Sequence, residues 1–299
     1  MRVATITSYG LSKRYQRAKK FALRDLELNI TPGEIYGFLG PNGAGKTTTI
    51  RLLMNFIVPS RGEARILGLD TLTQSVAIKN RVGYLPAEVE FYPKMTGRQL
   101  LDYLCDLRRP PIPSYVNVLC RRFRVELEQR ISSLSRGNRQ KIAIIQAFMT
   151  QPEVLILDEP TTGLDPLMQE EFFDLLRETK AREATIFLSS HNLTEVQKVC
   201  DRVGIIRKGR LIKEQSISDI VASSVKVFDI AFASPVPETE LKAISGLKFT
   251  RNSAHHATVR VKGDLRPLFR VLAKNEVRTI DRKESDLEEE FLKFYRGQS

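Results

Sequence analysis

The chain has 299 residues, with 42% hydrophobic and 27% charged side chains, the proportions of a soluble globular protein long enough for one large domain and a small one. No apolar run approaches the roughly 20 residues that a membrane-spanning helix needs, and the first residues lack the apolar core of a secretory signal, so neither a membrane span nor secretion is expected. A net charge of +12 admits nucleic acid, anionic lipid or an acidic protein face as a partner, yet the charges are dispersed and form no long basic tract. Cys105, Cys120 and Cys200 are scattered and odd in number, which points to a reducing cytosol.

In chain order, short apolar runs predict strands at 3–7, 35–39, 82–85, 154–157, 185–188 and 203–206. Helical spacing falls between several of them, at 47–56, 97–107, 136–149, 167–180 and 193–199. This alternation predicts an α/β domain with a largely parallel sheet. Residues from about 81 to 149, broken by Arg109-Pro110-Pro111-Ile112-Pro113, read as a mostly helical insert. The pattern changes after Ile217. Alternating runs at 225–232, 247–251 and 257–261, with helical spacing at 265–273 and 287–295, predict a small α+β domain over 220–299. The large domain then covers 1–219, and Ser234-Pro235-Val236-Pro237 reads as a loop within the small one.

The segment Gly40-Pro41-Asn42-Gly43-Ala44-Gly45-Lys46-Thr47-Thr48 sits between a strand and a helix, the context of a phosphate-binding loop (P-loop). Glycines let the backbone of Asn42, Gly43, Ala44, Gly45 and Thr48 approach a polyphosphate, with N–H groups turned inward and a helix dipole aimed at the same charge. Lys46 can reach the outer phosphates, and the Thr47 hydroxyl can ligate Mg²⁺. The strand 154–157 ends in Asp158-Glu159, an acid placed to hold the metal followed by an acid placed to position or deprotonate a water.

With these and further motifs the chain resembles the nucleotide-binding subunit of an ABC transporter. The signature element of that family stands as Leu134-Ser135-Arg136-Gly137-Asn138, with Arg136 where the common form has a first glycine. Gly163-Leu164-Asp165 matches the loop after the acidic strand, and Ser189-Ser190-His191 matches the switch histidine. The resemblance covers about residues 1–220 and implies an ATPase that binds ATP and Mg²⁺. It implies that Glu159, His191 and Lys46 serve catalysis, and that Asp158, Thr47 and Glu88 face the metal. It implies further that Ser135, Gly137 and Asp165 serve a nucleotide shared with a second subunit. Tyr15 is the preferred adenine-stacking residue, although Tyr9 is close. Alanine, Ala87, stands where the family has a glutamine. Glu88 takes over its metal contact, or water fills the place. His255-His256 reads as loop or surface.

The acidic–apolar tail at 287–295 is similar to that of drug-exporter-like subunits, with closure of the small domain's core as the plainer role. The resemblance implies a subunit on the inner face of the cell membrane that pairs with a second copy or a related ATPase subunit. It would power a separate permease docked near 91–109, where Tyr92, Met95 and Leu104 either contact the permease or pack the insert. A soluble ABC-type ATPase acting on nucleic acid or ribosomes is the alternative. No nucleic-acid partner is expected, because no basic segment carries interleaved aromatics. A catalytically silent subunit is disfavoured by the presence of Glu159 and His191.

Overall fold

The computed structural model describes residues 4–16, 18–107, 113–223 and 225–283. Contacts divide the chain into two compact units, Met1–Gln215 and Ser216–Ser299. The first unit is built on a six-stranded sheet. Its strands are β3 (Ile35–Leu39), β6 (Val82–Leu85), β7 (Val154–Asp158), β8 (Thr185–Ser190), β9 (Arg202–Arg207) and β10 (Arg210–Ser216), in the order β10-β9-β3-β8-β7-β6. From β6 through β7, β8 and β3 to β9 the neighbouring strands pair in parallel. Strands β3, β7 and β8 are buried at every position, the mark of parallel strands covered on both faces.

Helices α1 (Lys46–Leu53), α6 (Pro166–Ala181) and α7 (Leu193–Val199) follow β3, β7 and β8 and deliver the crossovers. A second, antiparallel sheet of β1 (Ile6–Lys13), β2 (Leu23–Ile30), β4 (Arg61–Ile66) and β5 (Leu69–Asp70) runs in the order β2-β1-β4-β5, with the short helix α2 (Ser75–Lys79) after it. Leu23, Leu26, Leu28 and Ile30 turn its apolar side to a core shared with Phe38, Ile50, Ile156 and Phe187. Rings of Tyr36 and Phe38 pack on Phe187, at 6.0 and 5.3 Å between centroids.

Between β6 and β7 the chain forms α3 (Gly97–Leu107), α4 (Pro113–Arg122) and α5 (Arg136–Phe148). Two features fix the insert. A Cβ on Gly83 would stand 2.1 Å from the Ala147 carbonyl, so only glycine lets the end of α5 lie this close to β6. At α6, Arg122 of α4 pairs with Glu171 and Glu178, at 2.9 and 2.8 Å, tying the helical insert to the sheet domain.

The second unit holds α8 (Ile217–Ser223), β11 (Val225–Phe232), α9 (Glu238–Lys242), β12 (Leu247–Arg251), β13 (His256–Lys262), α10 (Arg266–Lys274) and β14 (Val277–Lys283). Its antiparallel sheet runs β12-β13-β11-β14. Phe228, Ile230, Phe232, Val259 and Val261 meet Leu241, Leu268 and Leu272 of the helices in a core of its own.

Several expectations shift. The strand read at 3–7 is β1 (Ile6–Lys13), because Ser8 and Ser12 are buried strand positions whose hydroxyls donate to the Leu26 and Gly10 carbonyls. The helix read at 47–56 stops at Leu53, where Asn55 adopts a left-handed φ of 52°. The run read as a strand at 82–85 is β6, so the helical insert read from about 81 begins only after it. His256 starts β13. The tail at 287–295 lies outside the described residues.

Candidate active site

The loop 40–48 leaves β3 and enters α1. A Cβ on Gly40 would meet the Ile206 carbonyl at 2.5 Å, so the loop must begin with glycine to lie against β9. Gly45 caps α1 at a φ of 114°, a conformation that L side chains rarely adopt, and the helix carries no side-chain cap there. The first N–H groups of α1 are therefore left for an external acceptor.

Lys46 is only 6% exposed and folds back into the loop. Its Nζ donates to the Gly40 and Pro41 carbonyls, at 2.6 and 3.3 Å. It also stands 3.1 Å from Glu159 Oε1, an ion pair whose alignment makes no hydrogen bond. The other oxygen, Glu159 Oε2, is 2.7 Å from His191 Nδ1. A continuous line of ionisable groups thus runs from Lys46 through Glu159 to His191, which is exposed.

Glu159 is held in the left-handed region at a φ of 50°, a conformation that costs a non-glycine residue about 1 kcal/mol or more. The strain is sustained by β8: the Glu159 N–H donates to the Ser189 carbonyl and hydroxyl, at 3.2 and 3.1 Å. The same Ser189 hydroxyl donates to Asp158 Oδ1 at 2.5 Å. The motif reading named Ser189 only as a neighbour of His191. Its hydroxyl, at the end of an all-buried strand beside Asp158, is the signal that could have marked it.

Asp158 is fully buried, and its Oδ2 has no hydrogen-bond partner. Burial raises its pKa above the ordinary carboxylate value, while the Ser189 and Thr47 hydroxyls pull the other way. The folded chain therefore holds this proton more tightly than the unfolded chain does. At neutral pH the buried charge costs stability, and the cost disappears as pH falls through the raised pKa. Asp158→Asn is accordingly expected to raise the thermal midpoint of the nucleotide-free protein by about 2–4 °C at pH 7. The gain should shrink toward pH 4, and thermal melts across pH would check both.

A cavity beside this line is lined by Thr47, Arg51, Tyr84, Pro86, Ala87, Glu88, Glu90 and Asp158. Glu88 therefore faces the same space as Thr47 and Asp158. Tyr84, pushed up to about 12 by burial and by the Asp158 charge, stays protonated there. Tyr15 stands at the other side of the loop, its hydroxyl 3.4 Å from Thr48 Oγ1, in a cleft with Arg14, Phe21, Ser60 and Arg61. Tyr9, 56% exposed, lies on β1 outside that cleft.

The signature residues lie elsewhere. Ser135 caps α5 by accepting from the Asn138 N–H at 3.2 Å. A Cβ on Gly137 would meet the Gly163 carbonyl at 2.8 Å, and Gln140 donates to the Pro160 carbonyl at 2.7 Å. The head of α5 is thus seated on the loop that follows Glu159. Asp165 at the end of that loop caps α6 through the Met168 N–H, at 3.0 Å. Among the described residues, no hydrogen bond or ion pair joins Ser135 or Gly137 to the loop 40–48.

A glycine loop at the head of a helix, a buried lysine and paired acids at the end of β7, two strands from β3 in the same sheet, define a nucleotide-binding ATPase domain. A family model described as ABC transporter matches residues 23–162. The ABC transporter ATP-binding protein NatA of Bacillus subtilis is 38% identical over 226 residues, covering 73% of this chain and 92% of that protein. The Nod factor export ATP-binding protein I of Paraburkholderia xenovorans is 32% identical, covering 84% of this chain and 89% of its own. A solved structure of an ATP-binding subunit of an ABC transporter superposes with a TM-score of 0.66 at 30% identity, over 72% of this chain and 91% of that one. The chain belongs to the ATP-binding proteins of ABC transporters. It is an ATPase subunit, and no described helix is long and apolar enough to cross a membrane.

Proposed function

We propose that two nucleotide-binding units close on two ATP molecules, each held by the loop 40–48 of one and the Ser135–Gly137 signature of the other, and that this closure powers a separate membrane permease. The observation that carries the reading is the division of labour within one chain. The Lys46–Glu159–His191 line is complete at the head of α1, whereas the signature is built on a different helix and, among the described residues, makes no hydrogen bond or ion pair to that line. A second copy or a related subunit supplies the missing half.

In this reading the backbone of 42–48 and Lys46 bind the phosphates, and Tyr15 stacks on the adenine. Glu159 takes the proton of the attacking water, and His191 contacts the outermost phosphate while holding Glu159 in place. Asp165 continues the loop that bears on the partner subunit. Mg²⁺ fits the remaining groups, because Asp158 Oδ2 is a buried anionic oxygen without a donor, next to the Thr47 hydroxyl. No group of three or more His, Cys, Asp or Glu side chains among the described residues forms a dedicated metal site, so water and phosphate oxygens would complete the ion's shell, with Glu88 at its edge. When bound, the ion would neutralise charge on the transferred phosphoryl group.

The reading places the chain at the cytoplasmic face of the membrane. There the exposed Tyr92, Tyr103 and Leu107 of the helical insert meet the permease, with the half-buried Met95 and Leu104 beneath them. Tyr92 and Tyr103 already pack edge to face, 6.1 Å apart. Export is favoured by the tail's resemblance and by the Nod factor export relative. The test is Mg²⁺-dependent ATPase activity of the isolated chain against protein concentration. Activity rising faster than linearly is expected. Strict proportionality to concentration would overturn the sandwich.

A further inference from the structure

We propose that Ser189 is a positioning residue for hydrolysis: its hydroxyl ties down one oxygen of Asp158, leaving the other for the metal, and the same atom holds the backbone turn that aims Glu159 at the attacking water. The proposal rests on the roles of Asp158 and Glu159 given above. In the parallel pairing of β7 with β8, Asp158 stands opposite Ser189. Ser189 is fully buried, so bulk water does not compete for its hydroxyl.

The direction of each hydrogen bond is forced. An amide N–H can only donate, so the bond from the Glu159 amide makes the hydroxyl oxygen an acceptor, and its one proton goes to Asp158 Oδ1. Asp158 Oδ2 is then the oxygen without a partner, on a side chain that lines the cavity with Thr47 and Glu88. On the other side of the hydroxyl, Glu159 keeps its left-handed φ of 50° through two acceptors of one residue, the Ser189 hydroxyl and carbonyl. The next serine is spent differently. The Ser190 hydroxyl donates to Glu195 Oε2 and accepts from the Asn192 N–H, both at 2.9 Å and both within its own turn. Of the two hydroxyls, only that of Ser189 serves the acids. One atom thus supports two carboxylates with different tasks, so its loss should show in metal binding and in turnover together.

The experiment uses the full-length chain with Ser189→Ala and Ser189→Cys, and Glu159→Gln alongside. Cysteine keeps nearly the volume of serine but hydrogen-bonds weakly. Binding of a fluorescent ATP analogue is titrated with Mg²⁺, and ATP turnover is measured at saturating Mg²⁺. Both Ser189 variants are expected to raise the Mg²⁺ half-saturation about tenfold or more and to lower kcat about tenfold or more, as is usual when the hydrogen-bond partner of a metal-binding carboxylate is removed. KM for ATP should stay within about twofold, because the loss falls on positioning and not on uniform binding. Affinity for the analogue in excess EDTA should be unchanged, since the phosphate-binding loop is untouched. A cysteine variant that restores either quantity to the parent's value would show that the site needs volume and not a hydrogen bond, and overturns the proposal. An effect on Mg²⁺ half-saturation without one on kcat, or the reverse, overturns it too, as does a loss of affinity in EDTA. A Glu159→Gln variant that turns over like the parent overturns the reading of the site, and the proposal with it.

Discussion

Lys46→Ala is expected to reduce ATP hydrolysis by about a thousandfold or more. Removing one preorganised donor from a reacting oxyanion commonly costs about 10²–10³ in rate. Lys46 carries a full charge from a site that is nearly closed to water, where screening is weak. It also neutralises Glu159, 3.1 Å away. The alanine variant therefore leaves a carboxylate, itself 15% exposed, facing incoming triphosphate, so ATP affinity should fall together with turnover. Equilibrium binding of a fluorescent ATP analogue separates the two effects. Unchanged affinity with unchanged turnover would remove Lys46 from the site.

Glu159→Gln is expected to lower turnover by about 10²–10⁴ while leaving ATP binding in place, the range assigned to a positioned general base. The amide keeps the shape of the side chain and can still meet His191 Nδ1. It cannot accept the proton of the attacking water. An ATP-bound dimer should accumulate, since closure proceeds and its reversal by hydrolysis does not. The expected loss appears as a fall in kcat with KM little changed. The backbone conformation of residue 159 should survive, because it is fixed by the Ser189 hydroxyl and carbonyl rather than by the carboxylate.

Much of the nucleotide domain was legible because its strands are all-buried apolar runs that end in punctuation. The runs at 35–39 and 82–85 coincide with β3 and β6, since a strand covered on both faces needs no alternation and stops where glycine or proline begins. The antiparallel sheet was less visible. In β2 the chain reads Leu-Arg-Asp-Leu-Glu-Leu-Asn-Ile, and Asp25 at a φ of 48° breaks its period of two. Strand β10 buries none of its seven residues fully and so carries no apolar signature. The short helices α2 and α9, at five residues each, are too brief for helical periodicity to register.

The site was legible as motifs and illegible as geometry. Gly40, Lys46, Asp158, Glu159 and His191 announce themselves by type and order. That Lys46 lies 3.1 Å from Glu159, or that one serine hydroxyl serves both Asp158 and the Glu159 amide, depends on β3, β7 and β8 lying side by side, and strand order is written in no local pattern. Glu88 and Ala87 show the same limit. The sequence left open whether Glu88 or water takes the place of the missing glutamine, and the fold brings Ala87 and Glu88 to one cavity with Thr47 and Asp158.

The pairing of Lys46 with Glu159 ties the phosphate-binding loop to the end of β7 through a single ion pair. The lysine that should greet a phosphate is parked on two backbone carbonyls and on the very carboxylate that should activate water. In the proposed reading, a nucleotide arriving at the loop competes with these partners for the lysine, and Glu159 exchanges the lysine for the attacking water. On that reading, one lysine couples the seating of the substrate to the freeing of the base.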